Sequence, residues 1–219
     1  MADQKKKING KGAPAAPPAK KDPVEFWFDF SSPYAYIAST LIDDIADEYG
    51  RTVTWRPFLL GVVFKETGNA SLISQPLKGA YSRHDLERTA RFFEVPFKLP
   101  DPFPVATQAT ARAFYWLDRQ DPDLAKDFAA ACLHSFFAEG HDISQPDVIG
   151  NVAKALGVDS EALLEAIQTP DVKALLKDAT DAAIAKGVCG APFFFVDGEP
   201  FWGADRLWMV EEWLESGGW

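Results

Sequence analysis

The segment Phe26-Trp-Phe-Asp-Phe-Ser-Ser-Pro-Tyr-Ala-Tyr-Ile-Ala-Ser39 limits the possible folds more than any other part of this chain. Across residues 24–30, Glu25 and Asp29 alternate with aromatic residues, the pattern of a strand. It then meets Ser32-Pro33, a combination that starts helices. Where a strand feeds a helix directly, the junction lies beside unpartnered N–H groups and the positive end of the helix dipole, which stabilise negative charge. Proline is tolerated there because its missing N–H would have had no partner. Ser32 thus places a hydroxyl where an anion would bind, although serine is also an ordinary cap residue.

The helix after this junction is expected over residues 33–49, with Gly50 ending it. A second strand is expected over 52–58, rich in β-branched and aromatic residues. From about 59 to 186 the periodicity becomes helical, with breaks at Pro96, Pro104, Pro122, Gly140, Gly157 and Pro170. Gly190-Ala191-Pro192 then leads into Phe193-Phe-Phe-Val196, and Asp197-Gly198 separates that run from 199–202 as a hairpin turn would. An amphipathic helix is expected from about 204 to 215.

Strands separated by a helix can pair in parallel, whereas the last two pair antiparallel, so the order predicts an α/β fold with a small mixed sheet. The expected architecture is thioredoxin-like, with a large all-helical insertion between the second strand and the C-terminal hairpin. The expected division is a basic Ala/Pro/Lys tail (1–22) without structure, a thioredoxin-like domain (23–60 and 187–219) and a helical insertion domain (61–186).

Composition removes several classes of function. A net charge of −10 argues against an extended nucleic-acid surface, which requires clustered Lys and Arg. The tail carries six lysines but no continuous apolar run, so neither a signal peptide nor a transmembrane segment is expected. With only Cys132 and Cys189, no disulfide framework or Cys-x-x-Cys motif exists, and a cytoplasmic location is expected. His84, His134 and His141 lack metal-ligand spacing, so no metal is expected.

Three stretches, Phe28-Asp-Phe-Ser-Ser-Pro-Tyr34, Gly190-Ala-Pro-Phe193 and Phe201-Trp-Gly-Ala-Asp-Arg-Leu207, make the chain resemble the 2-hydroxychromene-2-carboxylate isomerases and kappa-class glutathione transferases. The resemblance spans most of the chain after the tail. That family is similar to the thioredoxin-fold disulfide oxidoreductases, in which Cys-Pro-x-Cys opens the first helix. Here the tetrad is Ser32-Pro33-Tyr34-Ala35, which cannot carry a dithiol–disulfide couple.

The resemblance implies reduced glutathione as cofactor, with Ser32 donating a hydrogen bond to its thiolate. It places Ala191 and Pro192, as a cis-proline element, with Trp202, Gly203, Ala204 and Asp205 around the tripeptide, Asp205 meeting the γ-glutamyl ammonium. It places Lys65, Asn69 and Lys78 near the substrate, a small aromatic-derived carboxylate, with Lys65 opposite the carboxylate. It also implies a homodimer. The implied reaction is a glutathione-dependent cis–trans isomerisation by thiolate addition, rotation and elimination. The alternatives are a kappa-type transferase and a non-catalytic thioredoxin-fold binding module. Many members of the family carry an Asn where this chain has Val105-Ala106-Thr107, which bears on the substrate.

Overall fold

The computed structural model describes residues 22–219, so the expected tail lies, except for Asp22, outside the described residues. The strand patterns become a four-stranded sheet of β1 (Val24–Phe28), β2 (Val53–Pro57), β3 (Phe193–Val196) and β4 (Glu199–Trp202), in the order β2-β1-β3-β4. β1 runs parallel to β2 and antiparallel to β3, which pairs antiparallel with β4. The fold is thioredoxin-like. Phe26 stands opposite both Trp55 and Phe194, so successive residues of β1 serve different faces.

One face buries Val24, Phe26, Phe28, Trp55 and Phe194, and the other buries Trp27 and Phe193. Each such ring contributes on the order of 1.5–3 kcal/mol through removal from water. Phe26 stacks on Phe28 at 5.0 Å and meets Trp55 edge-on at 5.1 Å. The first cluster continues through Phe128, Phe136 and Leu163, so the sheet shares its core with residues of the helical insertion.

The hairpin turn places Asp197 at φ 53° and Gly198 at φ 90°, both left-handed as a tight two-residue turn requires. Arg51 pairs with Asp197 Oδ1 at 2.7 Å, tying this turn to the chain just before β2.

The helix expected over 33–49 is two helices, α1 (Pro33–Ser39) and α2 (Ile42–Glu48). The Ser39 and Thr40 hydroxyls donate to the carbonyls of Tyr36 (2.7 Å) and Ile37 (2.8 Å), and such local bonds compete with helix continuation. Between β2 and β3 lie α3 (Leu60–Thr67), α4 (Lys78–Phe92), α5 (Gln108–Asp118), α6 (Pro122–His134), α7 (Pro146–Ala155), α8 (Ser160–Ala166) and α9 (Pro170–Ala185). The expected final helix opens as a 3-10 turn, Ala204–Arg206, before α10 (Leu207–Ser216). No helix among the described residues is long and apolar enough to cross a membrane.

Candidate functional site

β1 ends at Phe28, and the turn that follows delivers Ser32 to the N-cap of α1, where it is 4% exposed and in extended backbone geometry. Its backbone N–H donates to the Asp29 carbonyl at 2.9 Å. Its Oγ accepts from the Ala35 N–H at 3.2 Å and donates to the Ala191 carbonyl at 2.9 Å. The hydroxyl therefore caps its helix and also links the α1 mouth to the segment before β3, a partner 159 residues away.

The Ala191–Pro192 peptide is cis. Pro192 O accepts from Gly203 N–H at 3.0 Å, which sets the β4 end beside Pro192. Gly203 has φ 106°, a conformation that side-chain-bearing residues rarely adopt, and a Cβ there would lie 2.4 Å from Asp205 Oδ1. Gly190 is equally restricted, because the Trp202 indole lies across it and Nε1 would be 2.2 Å from an added Cβ.

These groups open onto a cavity of about 1500 Å³. All ten site residues named from the sequence line it: the seven around the α1 mouth and the β4 end, and Lys65, Asn69 and Lys78 from α3, the turn after it and α4. Lys65 sits in the last turn of α3, Asn69 just beyond its Gly68 cap, and Lys78 opens α4. Asn69 Nδ2 donates to Thr67 Oγ1 at 3.1 Å. Among the described residues, neither lysine has a carboxylate partner. Asp205 pairs with Arg206 at 2.9 Å, and no side chain caps α10. Cys189 is half-buried against the second core cluster and is not among the cavity's lining residues.

Sequence reasoning missed a polar cluster that joins α1 to α4 beside the cavity. Tyr34 OH donates to Asp85 Oδ2 at 2.5 Å; Asp85 also pairs with Arg88, whose guanidinium donates to Tyr81 OH at 3.0 Å. Burial, then the Asp85 carboxylate, push the Tyr34 phenol well above its ordinary range, so Tyr34 stays a proton donor at neutral pH. Burial alone would raise the Asp85 pKa, but its bonds to Tyr34 and Arg88 outweigh that and hold the carboxyl below its ordinary value. Asp85 and Arg88 gave no signal beyond an i, i+3 charge pair on a helix. Arg206 lines the cavity with Asp205.

A family model described as the DSBA-like thioredoxin domain matches residues 23–215. The chain belongs to that family. This DSBA-like chain is 31% identical over 193 residues to a 2-hydroxychromene-2-carboxylate isomerase of Sphingobium xenophagum, covering 87% of this chain and 97% of the relative. It is 28% identical over 205 residues to Glutathione S-transferase kappa 1 of Caenorhabditis elegans, covering 88% and 91%. Among solved structures, a selenomethionine 2-hydroxychromene-2-carboxylate isomerase superposes with a TM-score of 0.81 at 26% identity, covering 88% of this chain and 94% of that one. The chain's relatives are thus enzymes of two kinds, isomerases and glutathione transferases, on one DSBA-like scaffold.

Proposed function

We propose that this protein is a glutathione-dependent cis–trans isomerase of 2-hydroxychromene-2-carboxylate or a related intermediate of aromatic breakdown. The observation that carries it is the Ser32 hydroxyl at the α1 mouth, 2.9 Å from the Ala191 carbonyl, in a cavity that Lys65 and Lys78 also line. At about 1500 Å³ the cavity exceeds the roughly 300–1,000 Å³ usual for one drug-sized ligand, leaving room for a tripeptide and a second molecule.

Ser32 has one hydroxyl proton, which the Ala191 carbonyl accepts in the structure described here. A cysteinyl N–H of bound glutathione takes over that carbonyl and frees the hydroxyl to turn to sulfur. Hydrogen bonding to the thiolate and the α1 dipole then both lower the thiol pKa. A shift of about two units from roughly 8.5 makes most of the thiol anionic at pH 7. The thiolate adds to the conjugated double bond of the substrate, whose electron pair moves onto the conjugated carbonyl oxygen. The former double bond rotates, the pair returns, and the carbon–sulfur bond breaks, so glutathione leaves unchanged. Lys65 meets the substrate carboxylate, Asn69 and Lys78 complete the substrate wall, and Asp205 meets the glutathione ammonium.

The test is turnover of 2-hydroxychromene-2-carboxylate by purified protein with and without reduced glutathione. Glutathione-dependent turnover with full recovery of the thiol is expected; no binding and no turnover would end the proposal. The kappa-type relative supports a second reading, conjugation of an electrophile, and consumption of glutathione into a conjugate separates it. The proposal includes a reducing cytoplasmic location. It includes a homodimer, for which sedimentation is the check.

A further inference from the structure

Asp29 is a buried carboxylate, 5% exposed, that the isomerisation steps leave unused although it lines the cavity. Its Oδ1 accepts from the Ser31 N–H at 2.8 Å and from the Thr107 hydroxyl at 3.1 Å. Its Oδ2 accepts from the Leu60 N–H at 2.8 Å. Each donor stands at a different helix start: Ser31 precedes the Ser32 cap of α1, Leu60 is the first residue of α3, and Thr107 is the N-cap of α5. The caps of α3 and α5, Leu59 and Thr107, make no side-chain bond to their own helices. A single carboxylate therefore satisfies an orphan N–H of α3 and anchors the α5 cap while holding the loop that carries Ser32.

We infer that Asp29 is a positioning residue, a brace that ties the turn carrying Ser32 to the first turn of the Lys65-bearing helix α3. This rests on the proposed function for what the two ends bind, but the brace itself is a property of the free protein. Burial pushes the Asp29 pKa up, against the bonds from Ser31, Leu60 and Thr107, so its charge is carried at a cost to the fold. The isosteric Asn removes the charge that burial penalises and is expected to fold.

In Asp29→Asn, the amide oxygen keeps the two donors on the Oδ1 side, and the amide NH₂ faces the Leu60 N–H, donor against donor. Hydrogen exchange of the ligand-free full chain should speed about tenfold or more at Leu60 and change less than about threefold at Ser31 and Ser32. The KM for 2-hydroxychromene-2-carboxylate should rise on the order of tenfold, with kcat and the glutathione Kd within about threefold. In a Lys65→Ala background the same change should add less than about twofold, because the route through α3 is already lost. Leu60→Pro deletes the donor from the other side at a first-turn position where proline fits, and should reproduce the KM rise.

Unchanged exchange at Leu60 overturns the brace. Loss of protection spread evenly over the molecule, or effects of Asp29→Asn and Lys65→Ala that simply add, reduces Asp29 to a structural residue and overturns the positioning role. Wild-type protein that binds no glutathione sinks the glutathione reading instead, and the exchange result alone then decides the brace.

Discussion

The two ends of the cavity are built from different material. The Ser32 end consists of strand termini and their turns, where Ser32 and Ala204 are buried and backbone bonds join Pro192 to Gly203. The Lys65 end consists of helix faces at the edge of the insertion, where both lysines are exposed and neighbouring Tyr81 is 63% exposed. Groups fixed by backbone can hold an activating hydrogen bond to within tenths of an ångström. Exposed side chains on helices can change identity with little effect on the fold. The relatives on this scaffold likewise differ in what they are named for, a 2-hydroxychromene-2-carboxylate isomerase and a glutathione S-transferase.

Ser32→Ala attacks the rigid end and should have the largest effect. Turnover at pH 7 should fall by at most about 25-fold, the loss of thiolate if the whole depression of about two units disappears. Thiolate absorbance of the complex should then titrate closer to its free-solution value, the α1 dipole keeping part of the shift. If the bound thiol ionises equally easily without the hydroxyl, the contrast between the ends has no chemical basis.

Gly203→Ala comes next, since the Ala must take φ 106° with its Cβ 2.4 Å from Asp205 Oδ1. A stability loss of about 1–3 kcal/mol is expected, together with weaker glutathione binding, read by denaturant titration and calorimetry. Lys65→Ala tests the variable end. It should raise the KM for the carboxylate substrate by about tenfold while leaving thermal stability and the glutathione Kd nearly unchanged, because an exposed lysine contributes little to the fold.

The smallest effect concerns Asp85, whose carboxyl is held below its ordinary 3.8. A depressed folded pKa gives stability that is present above the unfolded value and lost as pH falls through the folded one. Asp85→Asn should therefore lower Tm by at most about 2–4 °C at pH 7, the partner bonds being screened by solvent, with the difference disappearing in acid below pH 3.8. Asp29, raised by burial, has the opposite sign. Acidification through its folded pKa toward 3.8 should relieve the wild-type protein relative to Asp29→Asn. Matching pH responses from the two variants would erase this part of the comparison.

The elements carrying strong local chemistry were legible in the chain. The Asp197-Gly198 pair marked the hairpin, and β3 and β4 fall at the expected 193–196 and 199–202. The break after Ser39 was not legible, because the apolar stripe runs through both α1 and α2 and hides two hydroxyls that bond back to their own helix. Likewise, nothing local to Asp29 announces that its acceptors would serve donors 31 and 78 residues away. Tyr34 and Asp85 meet only because α4 packs against the α1 mouth.

Alternation, helical period and turn residues are properties of short windows, so sequence alone was enough to establish the strand-to-helix junction, the thioredoxin-like order of elements and a serine in place of the usual thiol. The Ser32–Ala191 link, the convergence of three helix starts on one carboxylate and the cavity between two unlike walls arose only in the folded chain. They are contacts between residues far apart along the backbone, made possible once burial of the Phe26, Phe28 and Phe194 rings brings distant strands into register.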